Sequence, residues 1–268
     1  MTTDGHAAGT DRLMAVLWGR ERPPRATTGP RLGRRPALTI DDVVVAGVDL
    51  ADAEGLDSLS MSRLARRLRV GTMTLYTYVG SKAELVALMV DEVLAERALP
   101  GADEPRPAGW RTRLELYAER TRGMFGAHRW LHSGASVQPP LGPGLTDGKE
   151  YLLSALDGTG LTARRRNAVA GAVAFFVDAA AASESSSPDA TASPSDDGGD
   201  GDGWWQDAFD PARYPATVDV WRHGGFDVPA DNLAEFSFAF GFARLLDGIE
   251  ATMMTRRPGT AEPAPVAG

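Results

Sequence analysis

Apolar residues recur at three- and four-residue intervals along most of the chain, which is the spacing of amphipathic α-helices. Ile40, Val44, Val48 and Ala51 follow this spacing in one stretch. Over 236–242 Phe alternates with other residues, as in a half-buried strand, yet the same residues also fall on two helical faces. Because no second strand-like segment exists to pair with it, a helix is favoured there. The pattern as a whole predicts an all-α protein.

Caps and breaks divide these helices into segments. Thr39 with Asp42 resembles a capping box, and Ser81 with Glu84 matches the full Ser-x-x-Glu form. Three prolines within 100–109 mark a break or bent linker. The chain is predicted to begin with a flexible basic arm over 1–37, in which only 11–18 shows a trace of helical pattern. A helical head over 38–85 and a larger helical body over 86–256 follow, and the body contains a disordered acidic loop over 183–203. A flexible tail over 257–268 ends the chain.

The net charge of −8 conceals an uneven distribution. Residues 1–82 carry 12 basic and 9 acidic side chains, whereas residues 83–268 carry 16 basic and 27 acidic ones. Residues 58–82 hold four Arg and Lys82 with no acidic residue. A basic segment on an acidic protein favours a polyanion-binding module, and an ordinary solvated surface is the alternative.

Other classes of function find little support in the composition. The chain has no Cys, no apolar run long enough to span a membrane and no secretory signal, so a cytoplasmic protein without disulfides is expected. His128 and His132 are four residues apart and could share a helix face for a metal, but no certain third ligand is near. Since neither a glycine-rich phosphate loop nor a nucleophile elbow occurs, no enzyme activity, cofactor or metal is predicted.

Residues 58–82 carry the functional prediction. Helices over about 60–68 and 71–79, separated by a short turn, predict a helix-turn-helix. Ala65 is small enough for the two helices to cross closely, and the shared apolar seam consists of Leu64, Leu68, Val70 and Leu75. The second helix presents short or planar side chains that can approach base edges, namely Thr72, Met73, Thr74, Thr77 and Tyr78. DNA binding is therefore predicted, and a helical hairpin with incidental basic residues is the alternative.

This segment resembles the TetR (tetracycline repressor) family in the runs Leu64-Ala65-Arg66-Arg67-Leu68, Val70, Thr74-Leu75-Tyr76-x-Tyr78-Val79 and Ser81-Lys82-x-x-Leu85. The resemblance extends over 38–94, and the chain from Trp110 onward resembles the tetracycline-repressor type of C-terminal domain. It implies an N-terminal three-helix DNA-binding domain, a larger helical domain for ligand binding and dimerisation, and a homodimer. The family usually has Gly at the turn position that Arg69 occupies, and a left-handed Arg there costs about 1–2 kcal/mol.

The resemblance also implies the residues that contact DNA. Thr74 matches a position that contacts the DNA backbone, and Lys82 matches a phosphate-binding lysine at a helix N-terminus, where physical chemistry also favours a phosphate. Arg34 and Arg35 in the arm are candidates for the minor groove, with an incidental charged tail as the alternative. The complete predicted set is Arg63, Thr72, Met73, Thr74, Tyr76, Thr77, Tyr78, Lys82, Arg34 and Arg35.

The implied function is a ligand-responsive repressor that binds a near-palindromic operator in double-stranded DNA as a homodimer. Residues 163–182 and 231–255 would pair the subunits, and an unidentified small-molecule effector would release the DNA. The candidate effector-lining residues, each of which could instead be ordinary core, are Leu114, Tyr117, Met124, Phe125, Trp130 and Phe176. The alternative function is a DNA-binding activator or architectural protein whose C-terminal domain only dimerises.

Overall fold

The computed structural model describes residues 3–20, 38–133, 141–186, 210–225 and 230–254. These residues form α-helices and one 3-10 turn, Leu56–Ser58, and contain no strand, so the predicted all-α class is confirmed. The helices are α1 (Thr3–Gly19), α2 (Ile40–Glu54), α3 (Met61–Leu68), α4 (Thr72–Tyr78), α5 (Lys82–Ala95), α6 (Trp110–Ala127), α7 (Trp130–Ser133), α8 (Pro143–Ala155), α9 (Ala163–Ser186), α10 (Pro215–Arg222) and α11 (Ala230–Met254). Within the described ranges, no helix is both long and apolar enough to cross a bilayer.

The predicted caps set the helix starts in the head. At α2, Thr39 Oγ1 accepts a hydrogen bond from the Asp42 amide at 3.1 Å, and Asp42 accepts one from the Thr39 amide at 2.8 Å, which completes the capping box. At α5, Ser81 accepts a bond from the Glu84 amide, but the Glu84 carboxylate accepts from the amide of Gly80 at 3.0 Å. The second capping box is therefore only half formed.

One apolar core joins the head to the first part of the body. Val44, Leu64 and Leu75, which come from α2, α3 and α4, are completely buried in it. Met124 and Trp130, from α6 and α7, belong to the same cluster. The helix α5 begins in the predicted head, and its last turns lie in the predicted body. A conformational change in the body is therefore transmitted to the head through packed side chains rather than through a flexible linker.

The flexible arm predicted over 1–37 is wrong for residues 11–20, because α1 packs on the core. Leu17 is only 2% exposed. The Arg20 guanidinium lies 2.7 Å from Asp41 on α2 and 2.9 Å from Glu92 on α5. The partners of this helix lie far along the chain, so a local pattern does not reveal its burial. Residues 21–37, with Arg34 and Arg35, lie outside the described residues.

The helices near the C-terminal end form a second unit, Ser183–Gly268, distinct from Met1–Ala182. α11 covers 236–242, which confirms a helix there rather than a strand. Its residues Phe242 and Leu246 are buried, whereas Phe240 is 59% exposed. Because α9 continues to Ser186, the predicted acidic loop is helical over its first four residues; 187–203 and the tail over 257–268 lie outside the described residues.

Candidate DNA-binding surface and effector cavity

The turn between α3 and α4 is fixed by backbone hydrogen bonds. Ser60 caps α3 by accepting a bond from the Arg63 amide at 3.3 Å. The helix ends at Arg69, whose φ of 57° and ψ of 41° are left-handed. The Arg69 amide donates to Arg66 at 3.2 Å and the Val70 amide donates to Ala65 at 3.0 Å, which is a Schellman motif. Glycine suits this position best, so Arg69 places about 1–2 kcal/mol of strain in the turn.

Burial on one side of α4 leaves its opposite side open to solvent. Leu75 is completely buried and fixes the rotation of the helix against the head. Met73 is 77% exposed and Tyr76 is 42% exposed, and Thr74 and Thr77 are also exposed. Thr72 and Tyr78 are half-buried. The structure thus brings the predicted base-reading residues together on one short helix, mostly on its exposed side.

The basic residues near α4 differ in how they are paired. Lys82 is the first residue of α5 and is exposed. Arg63 forms an ion pair with Glu54 and also donates to the carbonyl of Ser58 at 3.4 Å. Arg67 lies 3.3 Å from Asp49. Arg63 is therefore engaged within the protein, whereas Lys82 lies at a helix N-terminus, where a phosphate binds well.

The histidine pair that suggested a metal does not share a helix. His128 caps the end of α6, whereas His132 lies in α7, and its side chain is outside the described residues. Nδ1 of His128 lies 2.8 Å from Asp52 and Nε2 lies 3.0 Å from Glu96, so both ring nitrogens have carboxylate partners. Among the described residues, no group of three or more acidic, His or Cys side chains is arranged to hold a metal.

The six predicted effector-lining residues have two different surroundings. Met124 and Trp130 are 5% and 3% exposed and belong to the core shared with the head, against which the half-buried Phe125 packs. Leu114 and Tyr117 are buried in the body, and Phe176 on α9 is half-buried. Tyr117 accepts a hydrogen bond at 3.2 Å from Arg97, a buried residue that sequence analysis did not select.

A cavity of about 390 Å³ lies beside Arg97, between the end of α5, the segment that follows it and α8. Its wall includes Leu94, Arg97, Leu99, Arg106 and Tyr151, and none of the six predicted lining residues. Its size falls within the range of small-molecule sites. Sequence analysis missed these residues because it treated 100–109 as a break, and helical periodicity does not distinguish a buried arginine from a surface one.

The second helix of the helix-turn-helix is exposed, and the head that carries it shares a core with a helical body. This arrangement is typical of a DNA-binding regulator. Two family models match the chain. Residues 43–89 match the bacterial regulatory proteins of the tetR family, and residues 103–253 match the tetracyclin repressor-like C-terminal domain. The second match alone covers more than half of the chain.

Individual proteins agree with these family matches. The HTH-type transcriptional repressor DrrR1 of Streptomyces coeruleorubidus is 35% identical over 257 residues, which cover 93% of this chain and 89% of that protein. The Escherichia coli tetracycline repressor protein class E is 33% identical over 106 residues, covering 38% of this chain and 50% of that protein. The crystal structure of the Streptomyces coelicolor TetR family protein ActR in complex with actinorhodin superposes with a TM-score of 0.67 and 31% identity, over 84% of this chain and all of that chain. This chain belongs to the TetR family of bacterial regulatory proteins.

Proposed function

We propose that this protein represses transcription as a homodimer on a near-palindromic operator and leaves the DNA when a small molecule occupies its body. The observation that carries the proposal is the shared core: Met124 and Trp130 of the body pack in the same cluster as Leu64 and Leu75 of the helix-turn-helix. Because packed cores adopt discrete arrangements, a ligand that changes the body changes the position of α4.

The DNA contacts proposed for each head lie on and beside α4. Met73, Thr74, Tyr76 and Thr77 face solvent and would meet the major groove. Their neighbours Thr72 and Tyr78, which are half-buried, would contact DNA at the edges of this surface. Lys82 and Arg63 would contact phosphates, and Arg63 would have to leave Glu54 to do so. Because Arg63 would exchange a carboxylate for a phosphate, it would contribute less to DNA affinity than an unpaired arginine.

The proposed homodimer would cover apolar surface that a single chain leaves exposed. Phe175 on α9 is 80% exposed, and Phe236 and Phe240 on α11 are 58% and 59% exposed. A methyl group added at Gly171 or Gly248 would meet no atom within 4 Å. Large exposed aromatic side chains mark interaction surfaces, and small residues permit close helix approach. Such a dimer would hold two α4 helices about 34–36 Å apart, which is one turn of DNA.

Release of the DNA would follow from linkage between two conformations. The effector would bind in the body; the similar protein ActR has been crystallised in complex with a small molecule, actinorhodin. α5 connects the two sites, since Lys82 stands at its first residue and Leu94, near its end, lines the cavity. If the effector lowers operator affinity, the operator must lower effector affinity by the same factor.

The test is a titration of the full chain against fluorescent duplexes from the DNA upstream of its own gene, with a scrambled duplex as the control. The proposal expects selective binding whose logarithmic affinity falls steeply with the logarithm of salt concentration. Small molecules made or exported by the source bacterium are then screened for release of the duplex. Equal tight binding to both duplexes would instead favour the architectural alternative.

A further inference from the structure

The wall of the cavity in the body contains a buried cation whose three hydrogen-bond acceptors are all neutral. Arg97 is only 4% exposed. Its guanidinium donates to the carbonyl of Leu94 at 2.9 Å, to the carbonyl of Gly144 at 2.7 Å and to the hydroxyl of Tyr117 at 3.2 Å. Within the described residues no carboxylate forms an ion pair with this arginine. Asp178 on α9 does interact with it electrostatically: burial raises the pKa of Asp178 to about 6, and the charge of Arg97 opposes that rise without a direct ion pair. An anion in direct contact would therefore add to the stabilisation of this buried charge.

A second arginine in the same wall is similarly placed. Arg106 is half-buried and donates to the carbonyl of Gly101 at 2.8 Å and to the hydroxyl of Ser154 at 2.7 Å. Its guanidinium lies over the ring of Tyr151, 5.3 Å from the centroid. None of the described carboxylates is within ion-pair distance of it. A guanidinium group has five N–H donors, whereas the structure gives Arg97 three hydrogen bonds and Arg106 two, so both have donor capacity left for a ligand beside one cavity.

Tyr151 adds an unsatisfied polar group to this wall. The residue is 2% exposed, and its buried hydroxyl has no hydrogen-bond partner among the described residues. Buried hydroxyl groups are nearly always hydrogen-bonded in folded proteins, so an orphan of this kind indicates a missing partner. Desolvation raises the pKa of this hydroxyl, so Tyr151 is neutral and able to donate at neutral pH.

The rest of the wall is consistent with an amphipathic ligand. Leu94, Leu99 and Pro100 supply apolar surface. The wall also contains Asp147 and Glu150, but both are exposed, so water screens their negative charge far more than the buried charge of Arg97.

We infer that this cavity binds an anionic amphipathic small molecule, whose acidic group is held by Arg97 and Arg106 while its apolar part lies against Leu94 and Leu99. The inference names the chemical class of the effector, so it rests on the proposed function. It differs from the sequence-based prediction in placing the ligand at the end of α5 and along α8. The acidic group would also provide an acceptor for the Tyr151 hydroxyl.

Gly148 shows how closely Arg97 is held. A Cβ atom added at Gly148 would lie 2.5 Å from Nη2 of Arg97 and 2.7 Å from its Nη1. The guanidinium group therefore packs against bare backbone of α8, and any larger residue at position 148 must displace it. Gly148→Ala changes the position of the charge without removing it.

The experiment compares two fluorescent probes that differ only in one acidic group, 1-anilinonaphthalene-8-sulfonate and N-phenyl-1-naphthylamine. Fluorescence titrations of the full chain are expected to show at least about tenfold tighter binding of the sulfonate, because a charge-assisted hydrogen bond contributes on the order of tenfold or more in affinity. Arg106→Met, Arg97→Met and Gly148→Ala should each remove most of this preference and leave the affinity for the neutral probe nearly unchanged. Arg120→Met, which removes an exposed arginine from α6, is the matched control and should change neither affinity.

A folding control keeps the result interpretable. Tyr151→Phe removes only the unsatisfied hydroxyl, so it should leave thermal stability unchanged or higher and weaken the sulfonate probe alone. Equal affinity for the two probes, or a preference that survives both Arg106→Met and Tyr151→Phe, would overturn the inference. Operator binding is measured on the same samples. If the proposed function is wrong, the protein will fail to bind the operator but will still prefer the sulfonate probe.

Discussion

Asp52 on α2 and His128 at the end of α6 lie 2.8 Å apart, between Oδ1 and Nδ1, although 76 residues separate them in the chain. The same carboxylate oxygen accepts a hydrogen bond from Trp130 at 2.7 Å. The other ring nitrogen of His128 lies 3.0 Å from Glu96, just after α5. One imidazole thus connects the helix-turn-helix head, the connecting helix and the body, and only 8% of its side chain is exposed.

This contact predicts a pH dependence of stability. The hydrogen bond to Glu96 raises the pKa of His128, burial opposes the rise, and Asp52 adds to it. A raised pKa means that the imidazolium form stabilises the fold. Its contribution is complete below the ordinary pKa of about 6.5 and is lost as the pH rises through the higher value in the folded protein. We expect the melting temperature of wild type to exceed that of His128→Gln most at about pH 6 and progressively less above about pH 6.5.

Thermal denaturation followed by circular dichroism across this pH range measures the difference. His223→Gln provides the control, because His223 is an exposed residue at the end of α10. A difference between wild type and His128→Gln that stays constant with pH would show that His128 acts only by packing or as a neutral hydrogen-bonding group.

The contacts of α1 predict that it stabilises the head. Only 5% of the Arg20 side chain is exposed, and it contacts both Asp41 and Glu92. Arg20→Met leaves these two partly exposed carboxylates without their cation, and we expect a loss of about 1–3 kcal/mol in the free energy of unfolding. Arg12→Met is the matched control: Arg12 is 50% exposed and lies 3.3 Å from Glu84, so its loss should be below about 1 kcal/mol. Urea denaturation measures both, and equal losses would contradict the anchoring role.

Sequence information predicted the parts of this structure that depend on neighbouring residues. The helix-turn-helix followed from the local spacing of Leu64, Leu68 and Leu75 and from the small Ala65 where the two helices cross. The anchoring of α1 was missed because Glu92 lies 72 residues beyond Arg20. The cavity was missed for the same reason, since Arg97 is distinguished from a surface arginine only when Gly144 and Gly148 of α8 pack against it.

The left-handed backbone at Arg69 predicts a stabilising substitution. Glycine adopts this conformation without strain, whereas its greater freedom in the unfolded chain offsets part of the gain, so Arg69→Gly should stabilise the head by up to about 1 kcal/mol. Arg69→Ala removes the same charge and keeps the strain, so it should not stabilise. The comparison separates the conformational effect from the charge effect. Chemical denaturation measures the free energy of unfolding of the two variants. If both variants are equally stable, the change in stability comes from the lost charge and not from the backbone conformation.

The position of Lys82 predicts a contact that does not depend on base sequence. Lys82→Met should weaken binding to specific and scrambled duplexes by similar factors. It should also reduce the slope of the logarithm of affinity against the logarithm of salt concentration by the amount that about one phosphate contact contributes. Lys149 is the only other lysine of the chain and lies exposed on α8, so Lys149→Met removes the same charge away from α4. Met73→Ala, in contrast, should change the discrimination between duplexes. If both lysine variants bind DNA equally well, the phosphate assignment is wrong.

The exposed aromatic face of α11 makes the last prediction, which concerns assembly. Phe240 stacks on Phe236 with 6.4 Å between ring centroids, and the guanidinium group of Arg244 lies 5.6 Å from the Phe240 ring centroid. In a single chain Phe240 is 59% exposed, so Phe240→Asp should leave the helical circular dichroism spectrum intact. In the proposed dimer the introduced carboxylate would be buried, which opposes association.

Sedimentation velocity should therefore detect dimers of wild type and of Phe240→Leu, which retains an apolar side chain, and monomers of Phe240→Asp. Operator affinity should fall together with dimerisation, because a monomer places only one α4 in the major groove and loses the second half-site. Dimers of Phe240→Asp with unchanged operator binding would exclude this face of α11 from the interface. A monomeric variant that still binds the operator tightly would instead show that DNA binding does not require two heads.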